Sequence, residues 1–213
     1  MAFLTIERDG GILTATMNQP ETRNALTGNT AVQEFVQLCE DVRKDASVKV
    51  LIITAAGPIF SSGGNVKDMK RFFDDALTPD LIREEYRQGI QQIPNALVQL
   101  DVPVICAING PAIGAGLDLT CMCDIRIAAQ SARFAEHFVK LGLIPGDGGA
   151  WLLQRVVGFS KAAEMTLTGD TLSADEALAC GLVSRVVPDE QLLAEARALA
   201  ARIAANPPQA VQQ

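Results

Sequence analysis

The sequence predicts an α/β protein in which helices cover a mostly parallel sheet. Three short apolar runs carry this prediction: residues 48–54 (VKVLIIT), 102–109 (VPVICAIN) and 124–129 (DIRIAA). Each run is too short for a buried helix, and such near-continuous apolar runs are typical of strands covered on both faces. Helical patterns alternate with them, which favours parallel crossover connections. Residues 182–187 (LVSRVV) predict a fourth strand of this kind.

The chain begins with a predicted β-hairpin. Residues 3–8 (FLTIER) and 12–17 (ILTATM) are alternating runs that flank Asp9-Gly10-Gly11. Glycine adopts positive φ angles at little cost, so this tripeptide can form the tight turn.

Helices are predicted in four segments. Residues 30–43 place apolar side chains on one helical face, and Thr30 and Gln33 have the spacing of a capping box. Residues 81–100 are helical up to Val102-Pro103, where proline ends the pattern. After residue 150 the pattern is again helical, in a segment opening on a serine cap and closing on glycine (173–181, SADEALACG) and in the long run that follows (189–206).

Composition indicates a globular chain and excludes some partners. The chain has 213 residues, of which 48% are hydrophobic and 20% charged, enough for one substantial core. Its net charge of −7 repels nucleic acid and anionic membranes. The start, MAFLTIERDGG, lacks the basic and apolar regions of a signal peptide, and no run is apolar for the length that a bilayer requires. We therefore expect a cytoplasmic protein.

The cysteines predict neither disulfides nor a metal site. They are odd in number, form no CxxC pair and are accompanied by a single histidine, so they cannot supply a plausible zinc set. We expect reduced, mostly buried side chains at Cys39, Cys106, Cys121, Cys123 and Cys180.

Three glycine-rich segments are the candidate ligand-binding loops: residues 60–65 (FSSGGN), 109–118 (NGPAIGAGLD) and 144–150 (IPGDGGA). In open α/β sheets, ligands bind beyond the carboxyl ends of strands, where glycine permits close approach of backbone N–H groups. One N–H from each of two loops could hold a developing oxyanion. The alternative for any single loop is that its glycines only form a turn.

Other common sites have little support. The dinucleotide pattern GxGxxG and the P-loop pattern are both absent. Ser61 and Ser62 lie in no GxSxG motif, and a serine or cysteine triad would need His137 as its base. A packed or surface His137 is the simpler interpretation.

Two aspartates lie in or beside the glycine loops. Asp118 follows Gly114 by about one helical turn, and Asp147 lies between two glycines. Either carboxylate could serve acid–base chemistry if it reaches the reacting atom. The alternatives are a helix-dipole contact for Asp118 and turn formation for Asp147.

Six ordered segments resemble the crotonase superfamily, the enoyl-CoA hydratase/isomerase family. They are QPETRNAL, FSSGGNVKDM, DVPVICAINGPAIGAGLDL, CDIRIAA, LGLIPGDGG and LTGDTLSADEALACGLVSRVV. The resemblance implies a ClpP/crotonase spiral of repeated ββα units with a C-terminal helical region. On this basis we expect a spiral core at residues 1–187 and the start of an incomplete helical region at 188–213.

The resemblance also implies a site that binds an acyl-CoA thioester and stabilises its enolate with two backbone N–H groups, those of Gly64 and Ala115. Coenzyme A is then part of the substrate, and neither a metal nor a further cofactor is expected. Members usually form homotrimers or dimers of trimers. The residues expected to border coenzyme A are Thr22, Arg23, Ala25, Ser62, Gly63, Gly64, Asn65, Val66 and Ala115.

The sequence departs from the hydratase pattern at one of two glutamate positions. The first position is Asp118 and the second is Phe138, which cannot transfer a proton. Glu136 is near in sequence but points differently from residue 138 in a helix or strand. We therefore expect Asp118 and Asp147 to form the acid–base pair, with Phe138 making the acyl pocket drier.

The resemblance favours three functions, and it does not exclude thioester hydrolysis or decarboxylation, two further chemistries of the superfamily. Water addition to a 2-enoyl-CoA in fatty-acid or related acyl-CoA catabolism is the leading expectation, which makes the protein a lyase. An enoyl-CoA isomerase is the alternative, because shifting a double bond needs only one base. The third is a binding module that has kept the acyl-CoA pocket and lost turnover.

Overall fold

A computed structural model describes residues 2–69 and 77–211 of the chain. Its strands, which form two sheets, are β1 (Leu4–Asp9), β2 (Ile12–Met17), β3 (Val50–Ala55), β4 (Val104–Ile108), β5 (Ala112–Ile113), β6 (Ile125–Ala129), β7 (Arg133–Ala135), β8 (Thr171–Ser173) and β9 (Arg185–Val187). The main sheet has the order β1-β2-β3-β4-β6-β9. Its first pair is antiparallel and every other pair is parallel.

The predicted hairpin and the predicted parallel strands are confirmed. β1 pairs with β2 in a register that sets Asp9 opposite Ile12, so Gly10 and Gly11 form the turn, and Gly10 has a φ of 56°. The three apolar runs become β3, β4 and β6, and the fourth predicted strand becomes β9.

The central strands are covered on both faces, as their apolar character predicts. Alternate residues of β3 and β4 belong to two separate cores, because successive side chains in a strand point to opposite faces. On one face Val50, Ile52, Ile105 and Ala107 pack against the helix formed by Leu192–Ala204. On the other face Leu51, Ile53, Val104, Cys106 and Ile108 enter the larger core.

The helices are α1 (Ala31–Lys44), α2 (Val66–Met69), α3 (Pro79–Gln88), α4 (Gln92–Leu97), α5 (Ala115–Cys121), α6 (Gly149–Val157), α7 (Phe159–Thr168), α8 (Ala174–Ala179), α9 (Leu192–Ala204) and α10 (Pro208–Val211). The prediction of a single helix over residues 81–100 is wrong in one respect, because the helix ends at Gly89 and the segment forms two helices, α3 and α4. The serine cap of α8 is confirmed: Ser173 and Glu176 form a complete capping box. Gln212 and Gln213, the last two residues of the expected helical region 188–213, lie outside the described residues.

The capping box predicted at Thr30 is wrong. The Thr30 side chain makes no cap hydrogen bond, and Asn29 Oδ1 instead accepts from the Ala31 N–H at 2.9 Å. The Thr30 hydroxyl donates to Glu34, whose carboxylate also accepts from the N–H groups of Phe3 and Leu4. Glu34 therefore joins α1 to the start of β1, and this long-range contact replaces the local one.

A second sheet, of order β5-β7-β8, holds the loops that form the site. β5 pairs in parallel with β7, and β7 pairs antiparallel with β8. Its strands are two or three residues long, which is too short for a periodicity that the sequence would reveal. Because β5 leads into α5 and β7 into the segment at Glu136, their pairing brings these two starts together.

Four of the cysteines are buried, Cys180 is half-buried, and all five are free thiols. Within residues 2–69 and 77–211, no helix is long and apolar enough to cross a membrane. The same residues contain no His, Cys, Asp or Glu group arranged to hold a metal ion. The expected division at residue 187 falls at the end of β9, and it stays a prediction.

Candidate active site

The first two glycine loops are joined by backbone hydrogen bonds. Ser61 forms a parallel bridge with Ala112, in which the Ser61 N–H donates to Pro111 O at 3.1 Å and the Ile113 N–H donates to Ser61 O at 3.0 Å. A Cβ at Gly116 would lie 2.4 Å from Ser61 O. Only glycine therefore allows α5 to begin this close to the neighbouring loop.

The bridge brings Gly64 and Ala115 to one cavity. Gly63 has a φ of +81°, and a Cβ there would lie 2.6 Å from Ile113 O and 3.0 Å from Ala115 N. Both Gly64 and Ala115 line a cavity of about 350 Å³. Among the described residues, no backbone or side-chain acceptor takes the N–H of either. Two unused donors at one cavity are what a developing oxyanion requires.

The loop at Asn24 fixes this arrangement from behind. The Asn24 side chain accepts from the Gln19 N–H and donates to Ala56 O and Ile59 O. The main-chain carbonyl of Asn24 accepts from the Ser61 hydroxyl at 2.8 Å, and that hydroxyl accepts from the Gly63 N–H at 3.1 Å. Ser61 is fully buried, so its hydroxyl is part of the scaffold and does not face a substrate.

His137 is not placed to activate a serine. Its Nε2 lies 3.4 Å from the Thr171 hydroxyl, and partial burial and nearby Lys140 lower its pKa. In the described part of the chain, His137 forms no hydrogen bond with Ser61 or Ser62. The geometry agrees with the interpretation of His137 as a packed side chain.

The residues expected to border coenzyme A lie on two adjoining segments. Arg23 O accepts from the Ser62 N–H at 3.0 Å, and Gly63 O accepts from the Leu26 N–H at 2.9 Å. Thr22 and Arg23 are exposed, Ala25 is buried, and Val66 is 47% exposed at the start of α2. Asn65 joins the segments again, because its N–H donates to the Thr27 hydroxyl. The structure thus gathers this set in one place, and its role in binding stays a prediction.

Asp118 and Asp147 are both buried, but only Asp147 lines the cavity. Asp118 lies on the first turn of α5, and Gly149, the first residue of α6, packs against its carboxyl. A Cβ at Gly149 would lie 2.0 Å from Asp118 Oδ1, so the glycine leaves room for this carboxyl. Burial raises the pKa of Asp118 and of Asp147 well above the usual range of a carboxyl; the negative charge of Glu136 raises that of Asp118 further, and the charge of Asp118 raises that of Asp147.

Glu136 is the carboxyl that the sequence reasoning missed. It follows β7 directly, it is fully buried, and it is within hydrogen-bonding reach of Asp118. Burial raises the pKa of Glu136 to about 7. Glu136 and Phe138 do point differently, because a 3-10 helix begins at His137, and Glu136 points to Asp118. The expectation was wrong for a strand, in which residues two apart share a face. The signal was the spacing from buried Phe134, since positions two apart share a face of an extended chain.

Phe138, at the position where the resemblance implies a second glutamate, lines the cavity. Its ring lies 3.6 Å from the point where a Cβ of Gly114 would be. An apolar ring therefore covers the backbone just before the Ala115 N–H, as the prediction of a drier pocket requires.

Residues of α1 and α3 also line the cavity. The residues that line it, in chain order, are Thr27, Gly28, Asn29, Val32, Gln33, Gly64, Asn65, Glu85, Tyr86, Gly89, Ile90, Ala115, Phe138 and Asp147. Asp147 is the only buried carboxyl among them. Within the described part of the chain, the site thus combines two backbone donors with one buried acid–base group.

Two unused backbone N–H groups at one cavity of an α/β scaffold are the arrangement expected of enzymes that act on activated carbonyl groups. Comparison with known proteins identifies the family: the profile of the family "Enoyl-CoA hydratase/isomerase" matches residues 7–213. The chain belongs to the enoyl-CoA hydratase/isomerase family, the crotonase superfamily, and the predicted fold class is confirmed.

Curated relatives carry both activities in their names. The chain is 39% identical to a probable mitochondrial enoyl-CoA hydratase of Dictyostelium discoideum, covering 94% of this chain and 69% of the relative. It is 37% identical to the 1,2-epoxyphenylacetyl-CoA isomerase of Escherichia coli, with 97% and 78% covered. Among solved structures, an enoyl-CoA hydratase from Bacillus anthracis matches with a TM-score of 0.90 at 32% identity, covering 99% of this chain and 80% of the other.

Proposed function

We propose that this protein adds water to a 2-enoyl-CoA in fatty-acid or related acyl-CoA catabolism. One observation carries the proposal: the unused N–H groups of Gly64 and Ala115 line the same cavity as the buried carboxyl of Asp147. Family membership supports the acyl-CoA substrate, and the hydratase names of similar proteins support the reaction. Coenzyme A then enters as part of the substrate, bordered by Thr22–Ala25 and Ser62–Val66, and no further cofactor is required.

In the proposed reaction the two donors hold the thioester oxygen. Water oxygen bonds to C3 while Asp147 takes a water proton, and the electron pair of the C2–C3 double bond moves onto the thioester as an enolate. A proton returned to C2 completes the hydroxyacyl-CoA. One such backbone donor typically contributes about 3 kcal/mol to transition-state stabilisation. Asp118, the predicted partner of Asp147, acts from behind it, because Asp118 does not line the cavity.

The test is direct product analysis. The protein is incubated with crotonyl-CoA and, separately, with a 3-enoyl-CoA, and the products are followed by mass spectrometry. Hydration adds the mass of one water to crotonyl-CoA, whereas isomerisation leaves the mass of the 3-enoyl-CoA unchanged and alters its retention. Failure to add water to any 2-enoyl-CoA in a chain-length series would remove the hydratase proposal.

Isomerisation is the second candidate, and the carboxyl count at the cavity favours it. A double-bond shift needs one base that removes and returns a proton, and Asp147 is the one buried carboxyl on the described cavity wall. Phe138 at the second glutamate position is consistent with that simpler chemistry. Tight binding of the acyl-CoA series without any product would instead indicate the non-catalytic binding module.

For assembly we propose a homotrimer or a dimer of trimers, with no nucleic-acid or membrane partner. Large apolar side chains exposed on the single chain support an interface between copies; they include Ile144, Trp151, Phe159 and Leu167. Native mass spectrometry at micromolar concentration tests it, and a monomer at that concentration would contradict it. We also propose that the protein is located in the cytoplasm, which cell fractionation tests.

A further inference from the structure

We propose that Glu136 is a positioning residue of the acid–base system, which exchanges a proton with Asp147 through Asp118. This inference rests on the proposed function, since it assigns Asp147 as the group that meets the substrate. It adds a third carboxyl to the two that the sequence indicated.

The fold places the three carboxyls in a row. Pairing of β5 with β7 sets Ile113 opposite Ala135, and the Gly114 N–H donates to Ala135 O at 2.8 Å. Asp118, one turn into α5, therefore lies beside Glu136, the residue after β7. On its other side Asp118 meets Asp147, which alone of the three reaches the cavity. The order from the cavity inward is Asp147, Asp118, Glu136.

The three groups must share protons. All six carboxyl oxygens are buried, and none has a hydrogen-bond donor among the described residues. Ionised carboxylates only accept hydrogen bonds, so any bond between two of them requires a proton on one. Three adjacent negative charges away from water would also repel strongly. A buried cluster of this kind must therefore keep protons at a pH at which carboxyl groups exposed to water are ionised.

The burial and the mutual pKa effects of the three carboxyls suggest an order of acidity. The contact with Asp118 raises the pKa of Asp147, and the contact with Glu136 raises the pKa of Asp118. The contact with Asp118 lowers the pKa of Glu136. In the proposed resting state the two protons are therefore on Asp147 and Asp118, and the negative charge is on Glu136, the member farthest from the cavity.

Moving two protons inward transfers this charge to the cavity. The Asp118 proton passes to Glu136 and the Asp147 proton passes to Asp118, so two O–H bonds break and two form. Asp147 is then ionised and can take a proton from water or from a substrate carbon, and the reverse shift restores the start. No outside oxidant or reductant is needed, and the cluster keeps two protons and one charge before the substrate proton arrives.

Other ionisable groups also face the cluster. Cys121 of α5 is buried near Asp118 and Glu136, and Tyr86 of α3 is near Asp147. Burial raises the pKa of the Cys121 thiol and of the Tyr86 hydroxyl, so both remain protonated near neutral pH. Neither can therefore take the place of Glu136 as the group that becomes neutral.

The variant that tests the inference is Glu136→Gln, which keeps the shape and removes the proton acceptor. We expect kcat to fall at least about 10-fold, within the range of general acid–base effects, with KM changed less than about 2-fold. The acidic limb of the pH profile of kcat near pH 7 should also be lost. Glu136→Asp should restore part of kcat and the limb, which a purely structural role would not produce.

Glu34→Gln is the matched control, because Glu34 accepts two backbone N–H bonds far from the carboxyl row. It should lower thermal stability without moving the pH profile. Wild-type kcat and an unchanged profile in a folded Glu136→Gln protein would overturn the inference, while loss of activity in Asp147→Asn would leave the proposed function standing.

A readout without turnover separates the two proposals. Carboxyl ¹³C NMR of the wild-type protein, assigned with Glu136→Gln, should show one glutamate carboxyl titrating near pH 7 and shifting in Asp118→Asn. If no acyl-CoA is turned over, this titration still supports the shared-proton row. If the Glu136 carbon titrates near pH 4, the inference fails whatever the activity.

Discussion

The two halves of the site are built in different ways. Main-chain hydrogen bonds between paired segments fix the donor half, at Gly64 and Ala115, and nothing in it needs to ionise. The carboxyl half, at Asp118, Glu136 and Asp147, has no bonds to its oxygens from side chains outside the row in the described structure. In the proposed reaction, negative charge develops against the first half, and protons move within the second.

This difference teaches what each half tolerates. Backbone donors are lost only when an N–H is removed or the loops separate, because every residue supplies the same group. In the proposed mechanism the carboxyl half depends on the identity and protonation state of each side chain, since three groups share one charge. Substitutions should therefore act through geometry in the donor half and through pH dependence in the carboxyl half.

The largest effect is expected from Asp147→Asn, which removes the one buried carboxyl among the described residues that line the cavity. General acid–base catalysis typically contributes about 10²–10⁴-fold, so kcat should fall by that order while acyl-CoA binding persists. Steady-state kinetics with crotonyl-CoA and calorimetric binding of a saturated acyl-CoA measure the two parts. Enoyl-CoA turnover at the wild-type rate would show that Asp147 is not the acid–base group.

Gly64→Pro is expected to have the next largest effect, because proline has no N–H. Loss of one oxyanion donor typically lowers kcat by about 10²–10³-fold. Gly64→Ala is the matched control, since it retains the donor and Gly64 is not among the glycines with positive φ. If the folded proline variant keeps its activity, the Gly64 N–H does not hold the thioester oxygen.

Gly149→Ala should have a smaller effect that links the two halves of the fold. The added Cβ would lie 2.0 Å from Asp118 Oδ1, so the carboxyl or the start of α6 must shift. Overpacking of this kind typically costs about 1–3 kcal/mol of stability. Thermal unfolding and kcat should both fall, whereas Ala150→Ser, at the exposed neighbouring position, should change neither. A stable, active Gly149→Ala protein would contradict the close packing on Asp118.

The smallest expected effect is the pH dependence of stability. The folded pKa of Glu136 is raised from 4.5 to about 7, so the folded state binds more protons than the unfolded state between these values. The stability is present below the unfolded pKa, and it is lost as pH rises through the folded one. The free energy of unfolding should therefore fall between pH 4.5 and 7, by at most about 1.4 kcal/mol per unit for each such group.

Urea unfolding at a series of pH values measures this slope. Asp118→Asn removes one buried acid from the row, and it should flatten the decrease. A stability that rises through the same pH window in the wild-type protein would mean that the three carboxyls are ionised in the folded state.

Much of the donor half could be predicted from sequence. The strands at residues 48–54 and 102–109 are apolar on both faces, so their glycine-rich ends were visible as loops beyond a buried sheet. Family resemblance then selected Gly64 and Ala115. The second sheet was not predictable, because β5, β7 and β8 are only two or three residues long and depend on long-range pairing.

The carboxyl half was predicted only in part for the same reason. Asp147 and Asp118 lie in loops that stand out by their glycines, but Glu136 joins them through the pairing of β5 with β7. A glutamate after a short strand reads as exposed, since charged side chains are seldom buried without partners. Its burial follows from the tertiary contact with Asp118, which local patterns do not contain.

A crystal structure with a bound acyl-CoA tests the central account most directly. The account predicts the thioester oxygen about 2.7–3.1 Å from both Gly64 N and Ala115 N, the distance range of an oxyanion site. It also predicts the Asp147 carboxyl within reach of C2 or C3, with Phe138 against the acyl chain. An acyl-CoA seated in the cavity with its thioester oxygen away from both N–H groups would contradict it.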